Sequence, residues 1–349
     1  MKILFDINHP AHVHFFRNPA RLLSASGHRV YITSRRKDVT LQLLEQYKLK
    51  HFELSGLGKK GIISLGKELV ERNTALYRFA KRVKPDVMAA IGGTFIAHTG
   101  TLLSIPSLVF YDTENATLQN LITYPLASKV LVPECYEGWL PKQNVRYKGY
   151  HELSYLHPNY FTPNLAIALE NGLGLCGPTL LIRLVSWQAN HDVGEHGWSE
   201  PLLSQFIERY KSKFTILISS EVLLSDKYSP YLYRGKTTAL HHVMAHCRLV
   251  IGESATMASE AAILGVPAIY AAHTSRGYIN ELQTKYGLVI NIPSIKWEDI
   301  KAETDRLLAR DDTHFKSQRA QLLANTIDVA EFVSKKCLEY RAESSQCVE

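Results

Sequence analysis

Short apolar runs alternate along this chain with stretches whose apolar positions recur at helical spacing. Lys2 to Ile7 is a strand-length run. After the turn Asn8-His9-Pro10, Phe15, Phe16, Ala20 and Leu23 share one helical face until Gly27 interrupts it. Pro10 suits a first helical position, where its missing N–H is not needed, with Asn8 or His9 as the cap. Further strands are predicted at Arg29 to Thr33, Asp86 to Ile91, Ser107 to Tyr111 and Lys129 to Pro133. The segment Gly149 to Pro163 is rich in Pro, Tyr and polar residues and breaks the alternation. A second series then predicts strands at Thr179 to Val185, Phe214 to Ser219, Leu249 to Gly252 and Ala268 to Ala271. Helices fall between them, near Pro201 to Arg209, Thr237 to Cys247 and Thr256 to Leu264, and terminal helices follow over 298–345. Strands alternating with helices imply parallel sheets covered on both faces.

The expected fold class is therefore α/β, with two Rossmann-like domains whose parallel sheets face a central cleft. The boundaries read from the pattern are 1–150, a linker over 151–163, a second domain over 164–325, and a terminal helix over 326–349 that crosses back to the first domain. An internal echo agrees with two similar domains. Residues 91–110 and 252–271 align without a gap, each reading strand end, glycine turn, helix, branched aliphatic, proline, strand.

Length and composition narrow the class. At 349 residues, with 46% hydrophobic and 21% charged residues, the chain is of ordinary globular make-up. No apolar run approaches the roughly 18 residues of a membrane span, and the first residues lack the pattern of a secretory signal. Five widely spaced cysteines form no C-x-x-C pair, which argues against a disulfide framework or a zinc ribbon. A reducing, cytoplasmic setting is the expectation. The net charge of +7 conceals +10 over residues 1–150 and −3 over the remainder. A basic first half points to an anionic partner.

The segment Leu249 to Tyr270 carries the most chemical information. A buried strand ends at Gly252 and leads into Ser254, Ala255 and Thr256, small residues opening a helix. Small side chains there let a phosphate approach free backbone N–H groups, whose dipole favours its charge. Glu260, four residues beyond Thr256, shares its helix face and suits the two hydroxyls of a ribose. A tightly packed structural helix with a solvated glutamate fits the same spacing. Arg183, a cation inside an apolar strand, could reach a phosphate or pair with a carboxylate such as Asp192. In the first half, His9, Gly92, Gly93, Asp112 and Glu114 follow strand ends, where open α/β sheets gather ligands. His12, near a helix N-terminus, is a candidate general base beside Asp112. His9, His12 and His14 lack the pattern of a metal site, so no metal and no cofactor are expected. Two G-x-G-x-x-G matches, at 56–61 and 172–177, lie in the wrong structural context, and Gly235-Lys236-Thr237 lacks the upstream glycine of a P-loop.

The run Gly252-x-Ser254-x-Thr256-x-x-x-Glu260-Ala261-x-x-x-Gly265-x-Pro267 resembles the C-terminal signature of GT-B-fold nucleotide-sugar enzymes. The resemblance implies that Glu260 binds the nucleotide ribose and the preceding loop the diphosphate. The opening is similar to that of the inverting N-acetylglucosaminyltransferase of lipid-linked peptidoglycan precursor synthesis. There His12, fifteen residues before Gly27, falls on the active-site histidine. Asn8-His9-Pro10-Ala11 departs from that family's glycine-rich turn. With NHPAH, GGT, GYHEL and TMASEAAILGVP together, residues 1–330 look closest to domain-of-unknown-function family 354, whose members accompany polysaccharide synthesis.

The implied function is glycosyltransferase-like, using a nucleoside-diphosphate sugar (a UDP-sugar first) for cell-surface polysaccharide or glycoconjugate synthesis. The implied acceptor is lipid-linked or a glycan, met near His9, Gly92, Gly93 and Glu114. A hydrolysing UDP-N-acetylglucosamine 2-epimerase-like enzyme and a non-catalytic nucleotide-sugar binder are the competing readings. The Gly-Thr-Arg-Pro-Glu turn of those epimerases is absent after the first strand. Eight cations between Lys59 and Lys84, interleaved with aliphatic residues, suggest a peripheral contact of 56–84 with an anionic membrane face. The stretch has no nucleic-acid-binding motif or aromatic stacking platform, which disfavours nucleic acid.

Overall fold

The structure is a computed structural model describing residues 1–35, 38–55, 62–175, 177–186 and 197–346. The chain forms two compact units, Met1–Tyr160 with Ile327–Glu349, and Phe161–Thr326.

Unit 1 carries β1 (Lys2–Ile7), β2 (Arg29–Arg35), β3 (Phe52–Ser55), β4 (Val87–Ile91), β5 (Ser107–Phe110), β6 (Lys129–Pro133) and β7 (Asn144–Tyr147). All are parallel, in the order β3-β2-β1-β4-β5-β6-β7. The inner strands are apolar because helices cover both faces: Ile3, Leu4, Phe5, Met88 and Val109 are all 0% exposed. Asp6 is the exception in β1. Its carboxylate takes a 2.7 Å ion pair from Arg72, 0% exposed, and a 2.7 Å bond from the Thr33 hydroxyl. The Asn8 side chain donates to its second oxygen at 3.1 Å, tying the turn after β1 to the same carboxylate. Arg72 also lies over the Phe95 ring. One of the eight cations expected on a membrane-facing stretch is therefore a core residue. Residues 56–61 of that stretch lie outside the described residues.

The segment 151–160, expected as part of a linker, is built into unit 1, and the cause sits in the helix Pro10–Ala25. Pro19 lies inside that helix and cannot donate to the Phe15 carbonyl four residues back. The Ser154 hydroxyl donates to that carbonyl instead at 2.5 Å, while Asn18 Nδ2 donates to the Ser154 carbonyl at 2.9 Å. Leu153 to Leu156 form a buried helical turn around this contact. The helix Val329–Gln346 also belongs to unit 1, burying Val329, Ala330, Val333 and Cys337.

Unit 2 carries β8 (Thr179–Leu184), β9 (Thr215–Ser220), β10 (Leu249–Gly252), β11 (Ala268–Tyr270) and β12 (Val289–Asn291). They pair in parallel in the order β12-β11-β10-β8-β9. The echo between 91–110 and 252–271 is a structural repeat. The helices Thr94–Leu103 and Ala255–Leu264 coincide end for end at the sequence offset, and both close with a left-handed residue, Ser104 and Gly265. In each unit this strand-turn-helix lies beside the point where strand order reverses, between β1 and β4 and between β8 and β10. Open parallel sheets gather ligands there, at the carboxyl ends of the strands.

Burial raises the thiols of Cys247 and Cys337, the latter to about 12. Only thiolate reacts readily with a disulfide reagent. In the folded chain at pH 8 both thiols should therefore resist dithionitrobenzoate, and both should react once guanidinium is added. Rapid labelling of either in the native state, read by peptide mass, would refute this burial.

Candidate functional site

In unit 2 the site is built outward from Gly252. Paired with Arg183 across β10 and β8, it has φ +149°, and a Cβ placed there would sit 2.0 Å from the Arg183 carbonyl oxygen. Only glycine lets the strands converge this closely before the chain turns. Glu253 follows and is buried. Its N–H donates to the Arg183 carbonyl at 2.9 Å, and its carboxylate accepts from the backbone N–H groups of Val185, at 2.8 Å, and Trp198. Nothing in the sequence marked Glu253. Its binding partners are 68 and 55 residues away along the chain.

Ser254 caps the helix Ala255–Leu264, its hydroxyl accepting from the Met257 N–H at 3.2 Å. Ser254, Ala255 and Thr256 are partly exposed, whereas residues 257–264 are buried throughout. The first turn is thus the accessible part of this helix and carries no acidic side chain to compete with an anion. Glu260 is 5% exposed rather than solvated, and its Oε1 lies 2.9 Å from Nε2 of His241, itself 4% exposed. An ionised carboxylate only accepts, so Nε2 carries the proton. No local spacing points to His241, which stands on the separate helix Leu240–Met244.

Arg183 turns its guanidinium toward β9. It donates to the Ser219 hydroxyl at 2.8 Å and pairs with Glu221, whose other oxygen accepts from Ser186 N–H and Oγ at 3.3 Å. Glu221 thus takes the pairing role suggested for Asp192. Residues 189–192 lie outside the described residues.

In unit 1, His9 and His12 follow β1 while Gly92 and Gly93 follow β4, so the switch point brings them to one end of the sheet. His9 caps its helix through Nδ1, which accepts from the Ala11 N–H at 3.3 Å. Nδ1 of His12 accepts the Asn8 N–H at 3.3 Å, which puts the proton of a neutral ring on Nε2. That tautomer is a hydrogen-bond donor; the expected general base needs the opposite one. The Gly92 carbonyl accepts from Thr94 N–H (2.7 Å), Thr94 Oγ1 (3.2 Å), Tyr111 OH (3.3 Å) and Gln119 Nε2. Four hydrogen bonds thus converge on the glycine turn.

Asp112, just past β5, contacts Nδ1 of the buried His151 at 3.0 Å and accepts from the Thr113 hydroxyl at 3.0 Å. His151 packs on the Phe15 ring and is likewise not marked by any local spacing. Glu114 accepts from the Glu137 N–H at 3.4 Å. Burial raises the nearby Tyr147 phenol well above its ordinary value, and the charge of Asp112 raises it further. Among the described residues no His, Cys, Asp or Glu cluster could hold a metal ion, and no helix is long and apolar enough to cross a membrane.

The fold is shared with solved nucleotide-sugar enzymes. The UDP-GlcNAc 2-epimerase from Neisseria meningitidis, bound to UDP-GlcNAc, superposes with a TM-score of 0.67 at 12% identity, covering 97% of this chain and all of that one. The spinosyn rhamnosyltransferase SpnG gives a TM-score of 0.67 at 13% identity over the same shares. The chain thus has a GT-B-like α/β fold. Among curated sequences, the uncharacterized protein MJ0665 of Methanocaldococcus jannaschii is 24% identical over 296 residues, 77% of this chain and 81% of that protein. Residues 1–309 match the family described as "Protein of unknown function (DUF354)", and the chain belongs to that family.

Proposed function

We propose that unit 2 binds a nucleoside-diphosphate sugar, with UDP-sugars the first candidates, and that the chain transfers the sugar to an acceptor held by unit 1. The observation that carries this reading is the helix Ala255–Leu264. Its accessible first turn opens at a switch point, with a carboxylate one turn below. The diphosphate lies against Ser254, Ala255 and Thr256, where backbone N–H groups offset the charge of the leaving group without a metal. Glu260 accepts from the ribose hydroxyls. Asp112 takes the proton of the attacking acceptor hydroxyl as the new glycosidic bond forms and the bond to phosphate breaks. His12, a donor through Nε2, binds substrate oxygen beside His9, Gly92, Gly93 and Glu114. Arg183 supports the phosphate side by fixing the end of β8.

Solved relatives support this assignment. One neighbour is bound to UDP-GlcNAc, and SpnG has been solved with thymidine diphosphate and with its aglycone. The acceptor proposed is lipid-linked or a glycan, the process cell-surface polysaccharide synthesis, and the location cytoplasmic with a peripheral membrane contact through 56–84.

Calorimetric titration with UDP, dTDP, GDP and NAD, each with and without magnesium, tests the reading. One nucleoside diphosphate should bind at micromolar strength irrespective of magnesium. Glu260→Ala should weaken it about 10- to 100-fold, the worth of hydrogen bonds to a charged group. Unchanged affinity in that variant would overturn the ribose assignment. The epimerase alternative, favoured by the 2-epimerase neighbours, predicts release of free sugar and UDP from UDP-GlcNAc with no acceptor present.

A further inference from the structure

We infer that His241 is a positioning residue for the nucleotide site, holding the Glu260 carboxylate in the orientation a ribose requires; this rests on the nucleotide reading of unit 2. Glu260 projects from a helix whose residues 257–264 are otherwise Met, Ala, Ser, Ile and Leu, all buried. A carboxylate at 5% exposure is costly there unless a donor meets it. His241 supplies such a donor, its Nε2–H lying 2.9 Å from Oε1.

His241 is itself fixed. It is 4% exposed on the helix Leu240–Met244, and the Phe161 ring stands edge-on to it at 6.1 Å. The neighbouring His242 packs on the same ring at 4.7 Å, and its Nδ1 accepts the Asn164 N–H at 3.1 Å, anchoring this helix to the start of unit 2. Packing alone does not explain the pair. Two apolar side chains of similar volume would hold the two helices together at least as well, because desolvation offsets most of a buried pair's attraction. What an imidazole supplies and a leucine does not is a fixed direction for the carboxylate. That direction matters because Glu260 lies one turn beyond Thr256, on the helix face that begins at the accessible first turn.

The test compares His241→Ala, His241→Gln and Glu260→Ala by calorimetry with UDP, dTDP and GDP, using whichever binds the parent chain, and records a melting curve for each variant. The glutamine amide can place an N–H near the position of Nε2. His241→Ala should lose roughly tenfold in affinity, and His241→Gln should return to within about twofold of the parent. The double variant His241→Ala/Glu260→Ala should bind no more weakly than Glu260→Ala alone, as expected when one residue acts through the other.

Parent-like affinity in His241→Ala, with binding lost in Glu260→Ala, would overturn the inference and leave the ribose reading intact. Equal losses in His241→Ala and His241→Gln, tracking lowered melting temperatures, would reduce His241 to a structural residue. If Glu260→Ala keeps parent affinity, or no nucleotide binds the parent chain, the ribose reading fails first and the inference falls with it.

Discussion

Gly252→Ala should destabilise unit 2 by about 3–5 kcal/mol. Two terms combine. The backbone at φ +149° disfavours any Cβ, and the added carbon would lie 2.0 Å from the Arg183 carbonyl oxygen and 2.8 Å from its carbonyl carbon. Those neighbours belong to β8, paired with β10 in the middle of the sheet, so neither can give way without breaking the ladder. The loss should appear as a lowered guanidinium midpoint, with nucleotide binding reduced as well because the Ser254–Thr256 turn begins two residues on. An unchanged midpoint would show that β8 and β10 separate more easily at this end than their pairing implies.

Asp6→Ala is the second large effect and falls in unit 1. The substitution removes little volume but leaves the Arg72 guanidinium, at 0% exposure, without its 2.7 Å partner. Breaking a buried pair from one side costs about 3–5 kcal/mol, whereas replacing both members with apolar residues is often neutral. Asp6→Ala/Arg72→Met should therefore recover most of the loss in a denaturation series. The single variant should also loosen the turn after β1, since Asn8 donates to the same carboxylate. If Asp6→Ala unfolds at the parent midpoint, water reaches Arg72 and the pair is not a closed core feature.

Much of the architecture could be read from the pattern because inner strands of a parallel sheet are apolar on both faces. β1, β6 and β10 begin and end where their apolar runs do. The strands missed, β3, β7 and β12, are sheet edges. Phe52 in β3 is 44% exposed and Arg146 in β7 faces solvent, so neither run is continuously apolar. The docking of 151–160 was illegible for another reason. Its cause is a carbonyl freed by Pro19, met by a hydroxyl 139 residues from Phe15. The candidate site divides in the same way. Gly252, Ser254, Thr256 and Glu260 lie in one contiguous block whose spacing can be read. His241 and His151 act on carboxylates 19 and 39 residues away, and no local periodicity links such pairs.

Unit 1 is assembled from two stretches of chain with the whole of unit 2 between them. The points of departure and return lie side by side: Asn159 Nδ2 donates to Asp328 at 3.0 Å, and the Ile327 N–H to the Lys148 carbonyl at 2.9 Å. On the ribosome, all seven strands of unit 1 emerge first, yet the helix Val329–Gln346 that packs on this unit emerges only after unit 2. Residues 1–160 must therefore wait with an apolar surface uncovered through the synthesis of another 166 residues, while unit 2 can close as soon as it is made. The half of the molecule begun first is the half finished last, and its early exposure is where nascent-chain holdases would have most to do.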